Sequence, residues 1–307
     1  MNLHQLEVFE AIMRTGSVSE AARALDVSQP AVSKTLRLAE QAAGFVLFRR
    51  VRGRLYPSPE AETLLPQVEQ VRNELNSISL LIRQLREGHA GQVVVASAAS
   101  LGHAFVTPAI AQFSRANPDI RIEVRILPTF QVADLVAQSQ ADFGLVHEPT
   151  PNPYIDGENI CQGEAICFMP KDHPLATRRS IGPRDLQGTP LLCYREDTAI
   201  GSRVRKAIAD AGFRREVEIV INQSEQALDL AEAGAGIAIT EPFLYISRPR
   251  AGLVGVPFRP AVPFQLRMIR ARERPRSRAA AQLERAVRAA IVKAVKKSPF
   301  AVREVQK

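Results

Sequence analysis

Residues 17–41, SVSEAARALDVSQPAVSKTLRLAEQ, carry two helical periodicities separated by one short turn, and no other segment restricts the fold as tightly. Val18, Ala21, Ala22 and Leu25 fall at i, i+3, i+4 and i+7, the apolar stripe of a short helix, and Ser17 followed by Glu20 predicts a capping box at its start. Asp26 interrupts the pattern, Ser28 is placed to cap a second helix, and Val32, Leu36 and Ala43 carry the stripe onward. Two short helices joined this closely must cross at a steep angle. The second keeps Gln29, Pro30, Ser33, Lys34 and Arg37 off its stripe, a face of hydrogen-bonding and cationic groups suited to a DNA major groove. An exposed, merely solvated helix face is the competing reading.

The flanks complete a small domain. Leu6, Phe9, Ile12 and Met13 predict a third amphipathic helix to close the core. VLFRRVRGRLYP predicts two short strands turning near Arg52 and Gly53, with Arg49, Arg50, Arg52 and Arg54 around the tip. Such a basic hairpin is a wing that can reach phosphates or a minor groove, and Arg52 and Arg54, nearest the turn, are the expected contacts. Ser58 as cap, Pro59 at the first helical position and Glu60 and Glu62 in the first turn then announce a long helix, closed by Arg83, Arg86 and Gly88. Leu64, Val68, Val71, Leu75, Ile78, Ile82 and Leu85 alternate steps of four and three along it. This narrow heptad seam wants a partner helix, and Val68, Val71, Leu75 and Ile78 are the expected dimerisation residues.

From Val93 the pattern changes to alternating strands and helices, first VVVAS, TPAIAQFSRA, IRIEVRIL, QVADLVAQSQ and DFGLVH, then a second set from AICFMP to GIAIT. Each set predicts a parallel-sheet α/β unit, and FQLRMIRA with the final helical stretch could return to the first. No apolar run approaches the roughly 18 residues of a membrane span, and Glu7 and Glu10 interrupt the start where a signal peptide needs a bare apolar stretch, so a cytoplasmic protein without membrane partners is expected. Cys161, Cys167 and Cys193 lack CxxC spacing and the five histidines stand singly, which supports buried structural thiols over a disulfide framework or a zinc site. Formal charge is +8, but residues 267–307 hold 13 Lys and Arg against 3 acids, so the other 266 residues sum to −2. The basic end could add sequence-independent attraction to DNA, or could be a solvated helix face.

LEVFEAIMRTGSVSEAARALDVSQPAVSKTLRLAEQAAGFVLFRR at the start, FSRANPDIRIEV and ADFGLV in the middle and AEAGAGIAIT later together resemble the LysR-type transcriptional regulators over essentially the whole chain. RRVRGRLYPS with AVPFQLRMIR is similar to the branch containing lysine-biosynthesis and opine-catabolism regulators. The resemblance implies an α/β protein with a winged helix-turn-helix over 1–58, a dimerising linker helix over 59–90 and an effector domain of periplasmic-binding-protein type over 91–307. Lobe I of that domain is expected at 91–160 plus 264–307 and lobe II at 161–263. It further implies a homodimer or homotetramer on double-stranded promoter DNA, a small-molecule co-inducer with no other cofactor, and RNA polymerase as a further partner. By position, Gln29, Pro30 and Ser33 fall where such regulators approach bases, and Ser100, Thr129 and Thr198 near the inter-lobe cleft. Asp26 stands in the turn where many such motifs have Gly, but Asp tolerates a left-handed backbone.

Strand ends at a crevice are where α/β domains hold ligands, so Ser97, Ser100 and Thr129 are effector candidates as well as candidate helix caps. Glu148 could hold an effector amine or be a solvated hinge residue; Arg195 could clamp a carboxylate or pair with Glu196 or Asp197. The branch resemblance implies an amino acid or amino-acid conjugate as effector. GAGIA lacks the third glycine of a nucleotide loop and reads as a helix stop, and no GxSxG elbow, P-loop or HExxH sequence offers a catalytic centre. The rivals to a regulator, a solute-binding protein and an enzyme on the same lobes, are therefore disfavoured.

Overall fold

A computed structural model describes residues 1–51, 54–86, 91–148, 151–213, 216–272 and 274–305, and the chain divides into two compact units, Met1–Ser79 and Leu80–Lys307. In the first, helices α1 (Leu3–Thr15), α2 (Val18–Ala24) and α3 (Gln29–Ala43) surround a core of Val8, Phe9, Ile12, Ala21, Val32 and Ala39. Each helix starts on a side-chain cap: Asn2 forms a reciprocal capping box with Gln5, Ser17 accepts from Glu20 N, and Ser28 accepts from Ala31 N. The α2–α3 turn is made by Asp26, whose φ of 53° is left-handed. Strands β1 (Phe48–Val51) and β2 (Arg54–Pro57) form the antiparallel hairpin, and Leu47 and Phe48 anchor it in the core. Ser58 Oγ then accepts from Ala61 N at 3.2 Å and caps α4 (Pro59–Arg86), a helix about 42 Å long at 1.5 Å per residue.

The second unit holds two sheets. The six-stranded sheet contains β3 (Gln92–Ser97), β4 (Arg121–Ile126), β5 (Phe143–Val146), β6 (Ile155–Glu164), β12 (Pro263–Ala271) and β13 (Arg303–Glu304) in the order β13-β6-β12-β5-β3-β4. The five-stranded sheet contains β7 (Ile166–Pro170), β8 (Leu191–Tyr194), β9 (Ile219–Ile221), β10 (Ile237–Thr240) and β11 (Leu253–Pro257) in the order β11-β7-β10-β8-β9. Helices α5 (Ala99–Leu101), α6 (Thr107–Ala116), α7 (Thr129–Ala137) and α11 (Arg278–Lys296) serve the first sheet; a π-helical segment, Gly102–Val106, joins α5 to α6. Helices α8 (Ala199–Asp210) and α9 (Ser224–Glu232) serve the second, and α10 (Phe243–Ser247) packs between it and the α5, π-helical and α11 segments of the first.

Neither sheet is purely parallel, contrary to expectation. β3, β4 and β5 run parallel, as do β8, β9 and β10, but β12 lies antiparallel to β5 and β6, and β7 antiparallel to β10 and β11. The antiparallel strands are those by which the chain crosses between sheets. β6 stays in the first sheet to its end, pairing Glu164 with Pro263, so the outward crossing falls at Ala165, later than the expected boundary at 160. The two crossings are bonded to each other, Ala165 N donating to Val262 O and Phe258 N to Ala165 O. α11 returns to the first sheet through buried Leu283, Val287 and Ile291.

Candidate functional site

The DNA-facing residues lie on one helix. Gln29 is the first residue of α3 and Pro30 the second, both exposed; Lys34 and Arg37 are exposed and Ser33 is half-buried, while Val32 and Ala39 turn into the core. A buried stripe fixes this helix, so its opposite face is presented as a rigid array of donors and cations. Glu40, on the same helix, accepts from Leu47 N at 2.8 Å and Phe48 N at 3.3 Å. It thereby ties the hairpin to α3, a role a single acid on a helix flank did not announce. Arg54 opens β2 opposite Val51 and Arg49 is exposed; Arg52 lies outside the described residues.

Along α4 the expected seam divides in two. Val68 is 4% exposed and packs, with Leu64, into the core of the helical domain, so it is not a dimerisation residue but part of its own unit. Its helix must dock on the domain before leaving it, and the first turns of the seam are used for that. Arg72 reinforces the docking with an ion pair to Glu10 of α1 at 2.5 Å; burial pushes the Glu10 carboxyl up, and Arg72 pulls it back. Further along, Val71 is 38% exposed and Leu75 partly buried, while Ile78 and Ile82 are 53% and 57% exposed.

Between the two sheets of the second unit lies a cleft of about 700 Å³. Lobe I lines it with Ser100, Thr129, Phe130, His147 and Glu148; lobe II lines it with Tyr194, Arg195, Thr198, Asn222 and Ser224. Ser100, Thr129, Thr198 and Ser224 all sit in the first turn or at the cap of a helix, so hydroxyls and unbonded N–H groups of both lobes converge. Thr198 caps α8, accepting from Gly201 N at 3.0 Å and donating to Arg195 O at 2.7 Å. Gly201 is required there, because a Cβ would stand 1.9 Å from the Arg195 carbonyl oxygen.

One effector candidate needs correction, and a second is already engaged. Ser97 does not line the cleft: it is 0% exposed and donates to Ala98 O, because strand alternation turns it under the π-helical segment beside Gly102. Glu148 does line it, but both its oxygens accept from the Arg203 guanidinium at 2.5 Å, and Arg203 also donates to Pro263 O. An ammonium at Glu148 would have to compete with that pair. Burial pushes the Glu148 carboxyl up, with Arg203 opposing. Arg195 is likewise paired, donating to Asp197 at 2.6 to 3.2 Å.

Below the cleft lies a polar cluster in which Ser100 was expected but Tyr194, Ser224 and Glu241 were not. Ser100 Oγ and His147 Nε2 are 2.8 Å apart, His147 stacks on Phe243, and its Nδ1 is buried without a partner. Ser224 Oγ donates to Glu241, whose two oxygens lie 2.6 and 2.8 Å away, and Tyr194 Oη reaches Glu241 and Ser224. Glu241 is 1% exposed and forms no ion pair among the described residues. Burial pushes the His147 imidazole down, Glu241 opposing, and pushes the Tyr194 phenol up. The available signal was position: Tyr194, Ser224 and Glu241 each stand where a strand or helix ends at the crevice.

The thiols are buried, and burial pushes Cys161 up to about 12 and Cys193 up to about 11. Among the described residues no group of side chains could hold a metal ion and no helix is long and apolar enough to cross a membrane.

A family model described as the LysR substrate binding domain matches residues 86–291, and one for bacterial regulatory helix-turn-helix proteins of the lysR family matches residues 3–62. The chain belongs to the LysR family. This LysR-type protein is 27% identical over 299 residues to Regulatory protein NocR of Agrobacterium fabrum, covering 96% of this chain and 97% of NocR. It is 32% identical over 250 residues to the octopine catabolism/uptake operon regulatory protein OccR of Rhizobium meliloti, covering 79% and 80% of the two chains. In fold it is similar to a full-length OxyR variant from Pseudomonas aeruginosa, with a TM-score of 0.58 at 18% identity over 100% of this chain and 98% of that one. It is therefore a LysR-type DNA-binding transcriptional regulator with an effector-binding domain, an α/β protein with an N-terminal winged helix-turn-helix.

Proposed function

We propose that this LysR-type regulator is a cytoplasmic homo-oligomer that performs no chemistry and needs no cofactor beyond a small-molecule effector, an amino acid or amino-acid conjugate held between the lobes. The observation that carries the reading is the convergence of Ser100, Thr129, Thr198 and Ser224 on one cleft from helix starts of both lobes, a setting for carboxylate. The similarity to OccR, whose name refers to octopine, an arginine derivative with two carboxylates, supports the same class. An effector that touches both lobes binds one inter-lobe arrangement better than another, and by linkage it shifts the spacing of the DNA-binding heads.

Footprinting of the promoter region beside its own gene, with and without octopine and L-arginine, tests this. A footprint whose length or hypersensitive positions change with one of these compounds is expected. A footprint that ignores every amino-acid derivative removes the effector class while leaving the regulator intact.

A further inference from the structure

We propose that His147 is a specificity-determining residue of the effector cleft: it takes up a proton when the effector binds and so supplies the positive charge that holds a carboxylate at Ser100. The inference rests on the reading of the cleft as a carboxylate-binding effector site and says how that site chooses an anion.

The geometry is unusual for a buried histidine. His147 closes β5 at the cleft and is 9% exposed, with Nε2 2.8 Å from Ser100 Oγ and Nδ1 without a hydrogen-bond partner. Phe243 stacks on the ring and holds its plane. Next along the chain from His147, Glu148 is neutralised by Arg203 from α8. In the π-helical segment, His103 faces Glu225 of α9 at 3.8 Å. From the end of β10, Glu241 pulls the His147 pKa back up against burial, and its carboxyl oxygens accept from Ser224 and Tyr194.

Without effector, desolvation outweighs Glu241 and the ring is neutral near neutral pH. An effector carboxylate at Ser100 adds a second negative charge on the opposite side of the balance. A buried imidazole under the influence of Glu241 and of an effector carboxylate favours the imidazolium, and the proton comes from bulk buffer. The charged ring has both nitrogens as donors, so Nε2–H must donate to Ser100 Oγ or to the carboxylate itself. Where it donates to Ser100, the serine hydroxyl proton is freed to point at the effector. A neutral effector gains nothing from this arrangement, because protonating His147 for it would bury a charge with one partner only. The specificity is for an anionic group, delivered by a residue that is uncharged until the anion arrives.

The test uses the full chain and three probes, octopine, L-arginine and succinate. Calorimetry at one pH in phosphate and in Tris separates the heat of buffer ionisation and so counts protons taken up. For at least one probe we expect an uptake close to one proton between pH 7 and 8, and an affinity that falls about tenfold per pH unit there, as linkage requires. The same probe should raise the His147 ring pKa in a histidine-labelled NMR titration, which an equal ionic strength of chloride should not do. His147→Gln keeps a donor that cannot titrate, so its binding should be pH-independent with no proton uptake; Ser100→Ala should weaken the probe while leaving uptake per bound probe in place. Binding without proton uptake, or a pH dependence that survives His147→Gln, overturns the role of His147 alone. If none of the three probes binds, the carboxylate effector class fails, and this inference falls with it.

Discussion

Asp26, at a φ of 53°, lets α2 and α3 meet in so short a turn, and the consequence is that Gln29 and Pro30 begin a helix whose outer face is free. Base-edge contacts discriminate, whereas cationic contacts to phosphate do not. Gln29→Ala or Ser33→Ala is therefore expected to cost about 1–3 kcal/mol at the operator and little on random DNA. Equal losses on both, measured by fluorescence anisotropy, would mean that these side chains only touch backbone. His147 gives a second expectation. Its folded pKa lies below the unfolded value of 6.5, so the unfolded chain binds more protons as pH falls below 6.5, and stability is lost in that direction. His147→Gln should flatten that acid-side decline in thermal midpoint relative to the wild type, and parallel curves would show that the ring is not desolvated. Caps such as Ser17, Ser28 and Ser58 were legible because each precedes a periodic run. Glu241 and Glu40 were not, because an isolated acid beside an apolar element has the same appearance whether it is solvated or bonded to something distant in sequence.

At the scale of elements, α4 shows how a single periodicity can serve two masters. Leu64 and Val68 continue the same heptad as Val71, Leu75 and Ile78, yet the first pair is covered by the helix-turn-helix core and Ile78 is half open. The sequence pattern reports that a face is apolar; it does not report which surface covers it. Ile78→Asp places a carboxylate where a partner helix is expected, and removing that charge from water is costly enough to separate the pair. Sedimentation at the mass of a single chain is the expected result, with DNA-binding domain stability unchanged. A variant of wild-type mass would assign assembly to another surface. Strand β6 was missed for a different reason. IDGENICQGE has Asp, Gly, Glu and Asn where a strand signal wants β-branched residues, and its antiparallel partners β12 and β13 lie 99 or more positions downstream in sequence. Long-range pairing, not local preference, makes it a strand.

Across the whole effector domain, charge is more locally balanced than the sequence suggests. The basic end begins with arginines that are already engaged: Arg270 with Glu284 and Glu158, Arg272 with Asp156, Arg274 with Asp142 and Arg288 with Glu158. Those pairs knit β12 and α11 into lobe I, which favours the structural reading of the segment over an added attraction to DNA. The lobes themselves are joined by the bonded crossings at Ala165, Phe258 and Val262, by Ser247 of α10 donating to Ala104 O, by His103 facing Glu225, by Arg259 paired with Glu164, and by the charged clasp of Glu148 of lobe I with Arg203 of lobe II. Because Arg203 is partly exposed, the clasp is worth about 0.2–1 kcal/mol, too little to hold the fold and enough to bias an inter-lobe equilibrium. Arg203→Ala should accordingly raise amide exchange at Phe258 and Ala165 by roughly two- to fivefold, while amides inside β3 and β8 keep their wild-type protection. Glu148→Gln combined with Arg203→Ala should do no more than Arg203→Ala alone, since both remove the same interaction. Additive increases would mean that Glu148 holds something other than Arg203. Unchanged exchange in every variant would mean that other inter-lobe contacts set how the lobes open, leaving the clasp no part in the response to effector.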